Sequence, residues 1–182
     1  MLEDQIPDQQ PHEIVDISQW LTNDDYGTYP GGSKPKRSVI CPEEAPYAFL
    51  IPGHAYLFKS ALDFRAPQMW SEIIAYRLSG LVDVKVPPAF AAMDKGMPGV
   101  LIEFFYGFPD ENPSRRLIHG TDLMQRLFGD QYDAKLGRPH SLNRIIAVCR
   151  AHRVTNATDW WMRTILLDAL IGNTDRHAQN WG

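Results

Sequence analysis

The chain has 182 residues, 44% hydrophobic and 22% charged, enough apolar material for one well-buried domain or a compact two-lobed one, and nothing in it suggests a repeat array. A formal net charge of −4 argues against a nucleic-acid-binding surface, for which a basic balance is expected, yet leaves room for a nucleotide site, which needs only a few local cations. The start MLEDQIPDQQ lacks the basic end and apolar run of a secretory signal, and no apolar stretch reaches the roughly 18 residues of a membrane span. With only Cys41 and Cys149, far apart and in no C-x-x-C arrangement, a reduced cytoplasmic setting is the expectation.

In chain order, residues 1–22 are rich in Asp, Glu, Gln and Pro and read as a flexible acidic arm with one short amphipathic turn at EIVDISQWL. YGTYPGGSKPKRSVI then reads as a glycine-rich hairpin loop feeding a strand. YAFLI and HAYLFK are two strand-like runs separated by Pro52-Gly53. APQMWSEIIAYRLSGL is a helix, with Pro67 in its first turn, Met69, Ile73, Ile74 and Leu78 on its apolar face and Gly80 at its exit. VKVPPAFAAM and GVLIEFFYG are two further strands around DKGMPG. Beyond Gly107 the period becomes helical, in GTDLMQRLFG, SLNRIIAVCRAH and NATDWWMRTILLDALIG. The last is apolar on most of its circumference and reads as a buried helix ending at Gly172. The plan is α+β: a small antiparallel sheet lobe with one helix over residues 23–107, then the start of a helical lobe over 108–182.

Chemistry-bearing residues sit at the joints of this plan. Alternation along HAYLFK sets Tyr56 and Phe58 on one face and Lys59 on the other with Ala55 and Leu57. A phosphate-pairing lysine needs such a strand position, and Glu72 on the next helix can reach back to it. Standing alone, Lys59 would read first as a solvated strand end and Glu72 as a surface residue. In GGSKPKRS, Gly31 and Gly32 let the backbone approach phosphate oxygens, with charge from Lys34, Lys36 and Arg37. The Walker A spacing is absent, and a basic hairpin tip is the plain alternative. The spacing D-x-x-x-x-N, which in kinases brings a hydroxyl-orienting Asp and a metal-binding Asn into one loop, occurs twice, at Asp168/Asn173 and Asp175/Asn180. Asp168 lies within a helix and Asp175 in the loop after it, where substrates reach, so the second pair is favoured. None of the six histidines forms H-x-H or H-E-x-x-H, which disfavours zinc, and His177 reads as a brace for the loop around Asp175. The Arg115-Arg116 pair, Arg150 and Arg153 read as solvated charges, and Trp160 and Trp161 as core.

Taken together, GGSKPKRSVI, AYLFKSA, SEIIAYRLSGLVDVKVPPA, LIEFF and LIGNTDRHAQNWG resemble the HipA-like serine/threonine kinase family over residues 27–182, the last motif being the most specific. The resemblance implies a protein-kinase-like fold and ATP- and Mg²⁺-dependent phosphorylation of a protein hydroxyl. It implies that the loop Gly31, Gly32, Ser33, Lys34 and Lys36 and the strand residue Lys59 bind phosphates, that Glu72 positions Lys59, and that Glu103 and Phe105 hold adenine. It further implies Asp175 as the base or orienting group, with His177 beside it, and Asn180 as a metal ligand. Several members are toxins partnered by a DNA-binding antitoxin, a family habit that no residue here specifies. Two departures stand out. Thr28-Tyr29-Pro30 replaces the serine that often precedes the glycine pair and serves autophosphorylation. The metal-binding Asp expected shortly after Asn180 does not occur before Gly182. A fragment of a longer kinase is the favoured expectation, beside one part of a split kinase and a shortened, non-catalytic nucleotide- or partner-binding relative.

Overall fold

The computed structural model describes residues 7–23, 36–61, 66–111 and 117–182. Gly31, Gly32, Ser33 and Lys34 of the expected phosphate loop lie outside them. The chain divides into two compact units, one of Met1–Arg77 with Val86–Arg115 and one of Leu78–Lys85 with Arg116–Gly182.

The first unit is built on a six-stranded sheet. Its strands are β1 (Val15–Asp16), β2 (Leu21–Thr22), β3 (Lys36–Ile40), β4 (Ala55–Ser60), β5 (Ala89–Asp94) and β6 (Met97–Glu103), and helix α1 (Ala66–Ser79) is inserted between β4 and β5. Spatial order is β1-β5-β6-β4-β3-β2. Every pairing is antiparallel except β1 with β5, which is parallel. The β5–β6 hairpin closes through Lys95 and Gly96 alone, at φ 51° and 81°. Positive φ at both central residues matches the right-handed twist of the flanking strands. One sheet face packs Val39, Tyr56, Phe58, Phe90 and Leu101 into a common core, with Tyr76 of α1 against it.

Two segments depart from their sequence readings. The acidic opening is no loose arm from residue 9 on: Val15 and Ile17 are fully buried, and the Gln9 side chain bonds both the N–H and the carbonyl of Ala91 on β5. Apolar alternation at Val15 and Ile17 outweighs the polar composition around it, because burying those side chains offsets the cost of ordering the backbone. YAFLI forms turns instead of a strand. The Leu50 N–H bonds to Tyr47 O, the His54 N–H to Ile51 O, and the Ile51 N–H to the Tyr56 hydroxyl. Pro46 and Pro52 bracket the run and keep it out of a ladder. Its apolar character is spent on packing, with Phe49 stacked on Tyr47 and tilted against Phe90.

The second unit holds α2 (Gly120–Phe128), α3 (Leu142–Ala151) and α4 (Ala157–Ile171), with 3-10 turns at Gly80–Val82 and Gly129–Gln131. Ser141 caps α3 by accepting the Arg144 N–H. Gly172 ends α4 in the left-handed conformation, φ 68°. Helix α4 is not buried all round, as its sequence suggests: Ala157, Trp161, Thr164, Leu167 and Asp168 are buried, while Trp160, Met162, Ile165, Leu166 and Leu170 are exposed among the described residues. Ala157 and Trp161 of the buried stripe pack with Ile145 and Ile146 of α3, while the exposed apolar side chains lack cover among the described residues.

Candidate functional site

In the sheet unit, the centre of interest is Lys59. Burial along β4 alternates as the sequence implies, Tyr56 and Phe58 going to the core and Lys59 to the opposite face. From there its ammonium reaches Glu72 of α1, Nζ to Oε1 2.7 Å. The side chains are 26% and 41% exposed, and ion pairs that wet contribute only about 0–1 kcal/mol of stability. The contact therefore matters for where it holds the ammonium and not for holding the fold. Lys36 on β3 is the cross-strand partner of Lys59, which puts both on one sheet face. Arg37, read from sequence as a phosphate-loop charge, alternates to the other face and pairs with Asp94 at 2.8 Å. Gly99 on β6 lies beside β4, where the backbone approach is so close that a Cβ would stand 2.5 Å from the Lys59 carbonyl.

At the end of β6, Glu103 and Phe105 diverge. The Glu103 carboxyl is turned into the core, and burial raises it to about 7 despite the Tyr56 hydroxyl beside it. Its Oε2 has no hydrogen-bond partner among the described residues. A contact from Glu103 to a base would have to come from its main chain. Phe105 is 52% exposed. His54, whose imidazole burial keeps below its ordinary range, donates Nε2–H to the Phe104 carbonyl at 2.7 Å and stacks flat on Phe108 at 4.4 Å. It braces the segment that carries Phe105. Sequence reading passed over this histidine, because a residue that supports a segment fifty positions away leaves no local spacing.

In the helical unit, the loop after Gly172 is held from several sides. The first N–H groups of α2 find acceptors in it: Gly120 bonds Trp181 O at 2.6 Å and Thr121 bonds Ala178 O at 2.8 Å. Ala178 is buried with Met124, Tyr132 and Val148. Asp175 and Asn180 face each other across the loop, the Asn180 Nδ2 donating to the Asp175 main-chain carbonyl at 2.5 Å. With Nδ2 turned to Asp175, the amide oxygen is the acceptor that the Asn180 side chain keeps, the kind of atom a cation requires. The Gln179 N–H donates to His177 Nδ1 at 3.2 Å, and His177 Nε2 lies 3.4 Å from Asp175 Oδ1 and 3.3 Å from Asn180 Nδ2. Both Asp175 and His177 are exposed. The other D-x-x-x-x-N pair lies beneath: Asp168 is buried in α4 and bonded by Asn173 and Arg176. Among the described residues no group of three His, Cys, Asp or Glu side chains could hold a metal, and no helix is long and apolar enough to cross a membrane. The oxygens present suit a Mg²⁺ shared with a phosphate and water, in the way nucleotide sites hold it, and do not form an all-protein cage.

No protein-family model matches the chain, and no curated protein does. Among solved structures, the crystal structure of a Helicobacter pylori proinflammatory kinase, CtkA, matches with a TM-score of 0.66 and 18% sequence identity over 93% of this chain and 54% of that one. The chain thus spans about half the length of that kinase. The likeness establishes a protein-kinase-like α+β fold, and it extends across both units.

Proposed function

We propose that the chain carries the nucleotide-binding and catalytic-loop parts of an ATP- and Mg²⁺-dependent serine/threonine protein kinase of the HipA-like kind. The observation that carries the reading is the Lys59–Glu72 pair at 2.7 Å, joining strand to helix in a kinase-like fold. Lys59, with Lys36 on the same sheet face, supplies cations for phosphate oxygens, and Glu72 fixes where the ammonium points. Phe105 offers an exposed ring beside the base, and the main-chain carbonyl of Glu103, whose N–H is bonded to Pro88 O, a polar contact. Asn180 Oδ1 is the protein's oxygen for Mg²⁺, whose part when bound is to neutralise charge developing on the phosphates. Asp175 orients the attacking hydroxyl and accepts its proton, with the His177 imidazole beside its carboxylate. A protein hydroxyl as acceptor and a DNA-binding antitoxin as partner come with the sequence resemblance, and a cytoplasmic setting with the cysteine usage. The test is transfer of label from γ-labelled ATP to protein serine or threonine, run on the protein as its reading frame encodes it. Asp175→Asn is expected to reduce transfer by at least about a hundredfold. Full activity in that variant, or no transfer by the parent, contradicts the reading.

A further inference from the structure

We propose that Asp168 and Arg176 are positioning residues for phosphate transfer, a buried carboxylate and a guanidinium that together fix both ends of the Asp175–Asn180 loop. The inference rests on the reading of that loop as catalytic.

Arg176 grips Asp168 with two parallel hydrogen bonds, Nε to Oδ2 at 2.9 Å and Nη2 to Oδ1 at 2.6 Å. Its remaining nitrogen, Nη1, donates to the main-chain carbonyl of Asn180 at 3.1 Å. Asp168 Oδ1 also accepts from Asn173 Nδ2 at 2.8 Å, and the Asn173 N–H bonds the Asp168 carbonyl at 2.8 Å. Asn173 Oδ1 in turn accepts the Asp175 N–H at 3.1 Å. Two routes therefore leave one carboxylate: through Asn173 to the backbone of Asp175, and through Arg176 to the backbone of Asn180.

The placement is chemically selective. A planar guanidinium with donors on two edges can hold a carboxylate on one and a carbonyl on the other, which the point charge of lysine cannot reproduce. Asp168 sits on α4 one turn before the helix ends, so its anchor point belongs to a rigid element, while Asp175 and Asn180 belong to a loop. Burying a carboxylate is costly unless charge and hydrogen bonds compensate it. Burial raises the Asp168 carboxyl, and the bonds from Arg176 and Asn173 with the Arg176 charge outweigh that and hold it below its ordinary range. The repeated D-x-x-x-x-N spacing thereby acquires a division of labour: Asp168 and Asn173 support from below the loop in which Asp175 and Asn180 face outward.

The experiment compares the parent protein with Arg176→Ala, Arg176→Lys, Asp168→Asn and the double variant Asp168→Asn/Arg176→Ala, using label transfer from ATP and amide hydrogen exchange. Misplacing reacting groups by a fraction of a bond length suffices for a large loss of rate, so Arg176→Ala is expected to lower kcat about tenfold to a hundredfold with the KM for ATP within about twofold. Arg176→Lys recovers part of the loss, and the double variant is no worse than the worse single one, because the two side chains act as one unit. Exchange at the amides of residues 175–180 rises about tenfold in Arg176→Ala while that of α4 stays unchanged, which separates a loosened loop from an unfolded protein. Unchanged kcat and loop exchange in both Arg176→Ala and Asp168→Asn overturns the proposal. A protein without measurable transfer, or one that Asp175→Asn leaves active, overturns the catalytic reading of the loop. Exchange alone then decides whether Asp168 and Arg176 hold it, and unchanged exchange sinks that claim too.

Discussion

Glu103 shows how a single side chain couples folding to proton concentration. Burial raises its carboxyl from an ordinary 4.5 to about 7. Tyr56 and Tyr76 are the titratable groups that couple to it, and neither is charged at neutral pH. Between these two values the unfolded chain has lost the proton that the folded chain keeps. Stability is therefore greatest below pH 4.5 for this group and falls as pH rises toward 7, by an amount on the order of 2–3 kcal/mol. Glu103→Gln keeps the shape without the acid and is expected to flatten this fall. Urea unfolding at pH 5 and pH 8 checks it: a parent and variant that lose the same stability between those pH values would show that Glu103 ionises freely in the fold. At this scale the legible residues were those whose role follows from local periodicity. Alternation assigns Lys59 its face, and helical placement brings Glu72 within reach. Arg176 was illegible, because its pairing with Asp168 runs back across the turn at Gly172 and no spacing rule fixes which side of a turn a guanidinium takes.

Gly99 is where β4 and β6 come closest. A methyl group there meets the Lys59 carbonyl and the Phe58 ring, each at 2.5 Å, and the carbonyl cannot yield without shifting the strand. Gly99→Ala is expected to cost about 1–3 kcal/mol, read as a lower denaturation midpoint, and to weaken ATP binding along with it by moving the backbone of Lys59. A variant as stable as the parent would mean that the two strands are not held at this separation. Element types were largely legible from sequence where pattern and turn chemistry agreed, as in α2, α3 and the β5–β6 hairpin. They were misread where apolar content had a cause other than the assumed one. In YAFLI it serves turns packed on the core, between two prolines. In α4 it covers more of the helix than α3 can bury. In the opening segment, two alternating apolar residues decide the structure against the charge and polarity of their neighbours.

The molecule as a whole joins a sheet unit that places two lysines on one face to a helical unit that presents Asp175 and Asn180 from a clamped loop. Sequence order alone outlined this α+β plan, because strands, one inserted helix and then helices leave few ways to cover a small sheet. It could not show that the opening residues complete the sheet through a parallel pair, since parallel pairing joins segments far apart in the chain. The central claim is that Lys59, held by Glu72, is the phosphate cation of an ATP site. Calorimetric titration of the protein with ATP and Mg²⁺ tests it most directly, beside the same titration of Lys59→Ala. A charge-assisted hydrogen bond to phosphate contributes roughly 1.5–3 kcal/mol, so saturable binding that the substitution weakens about tenfold or more is the predicted result. Absence of ATP binding by the parent, or equal affinity in the variant, would contradict it.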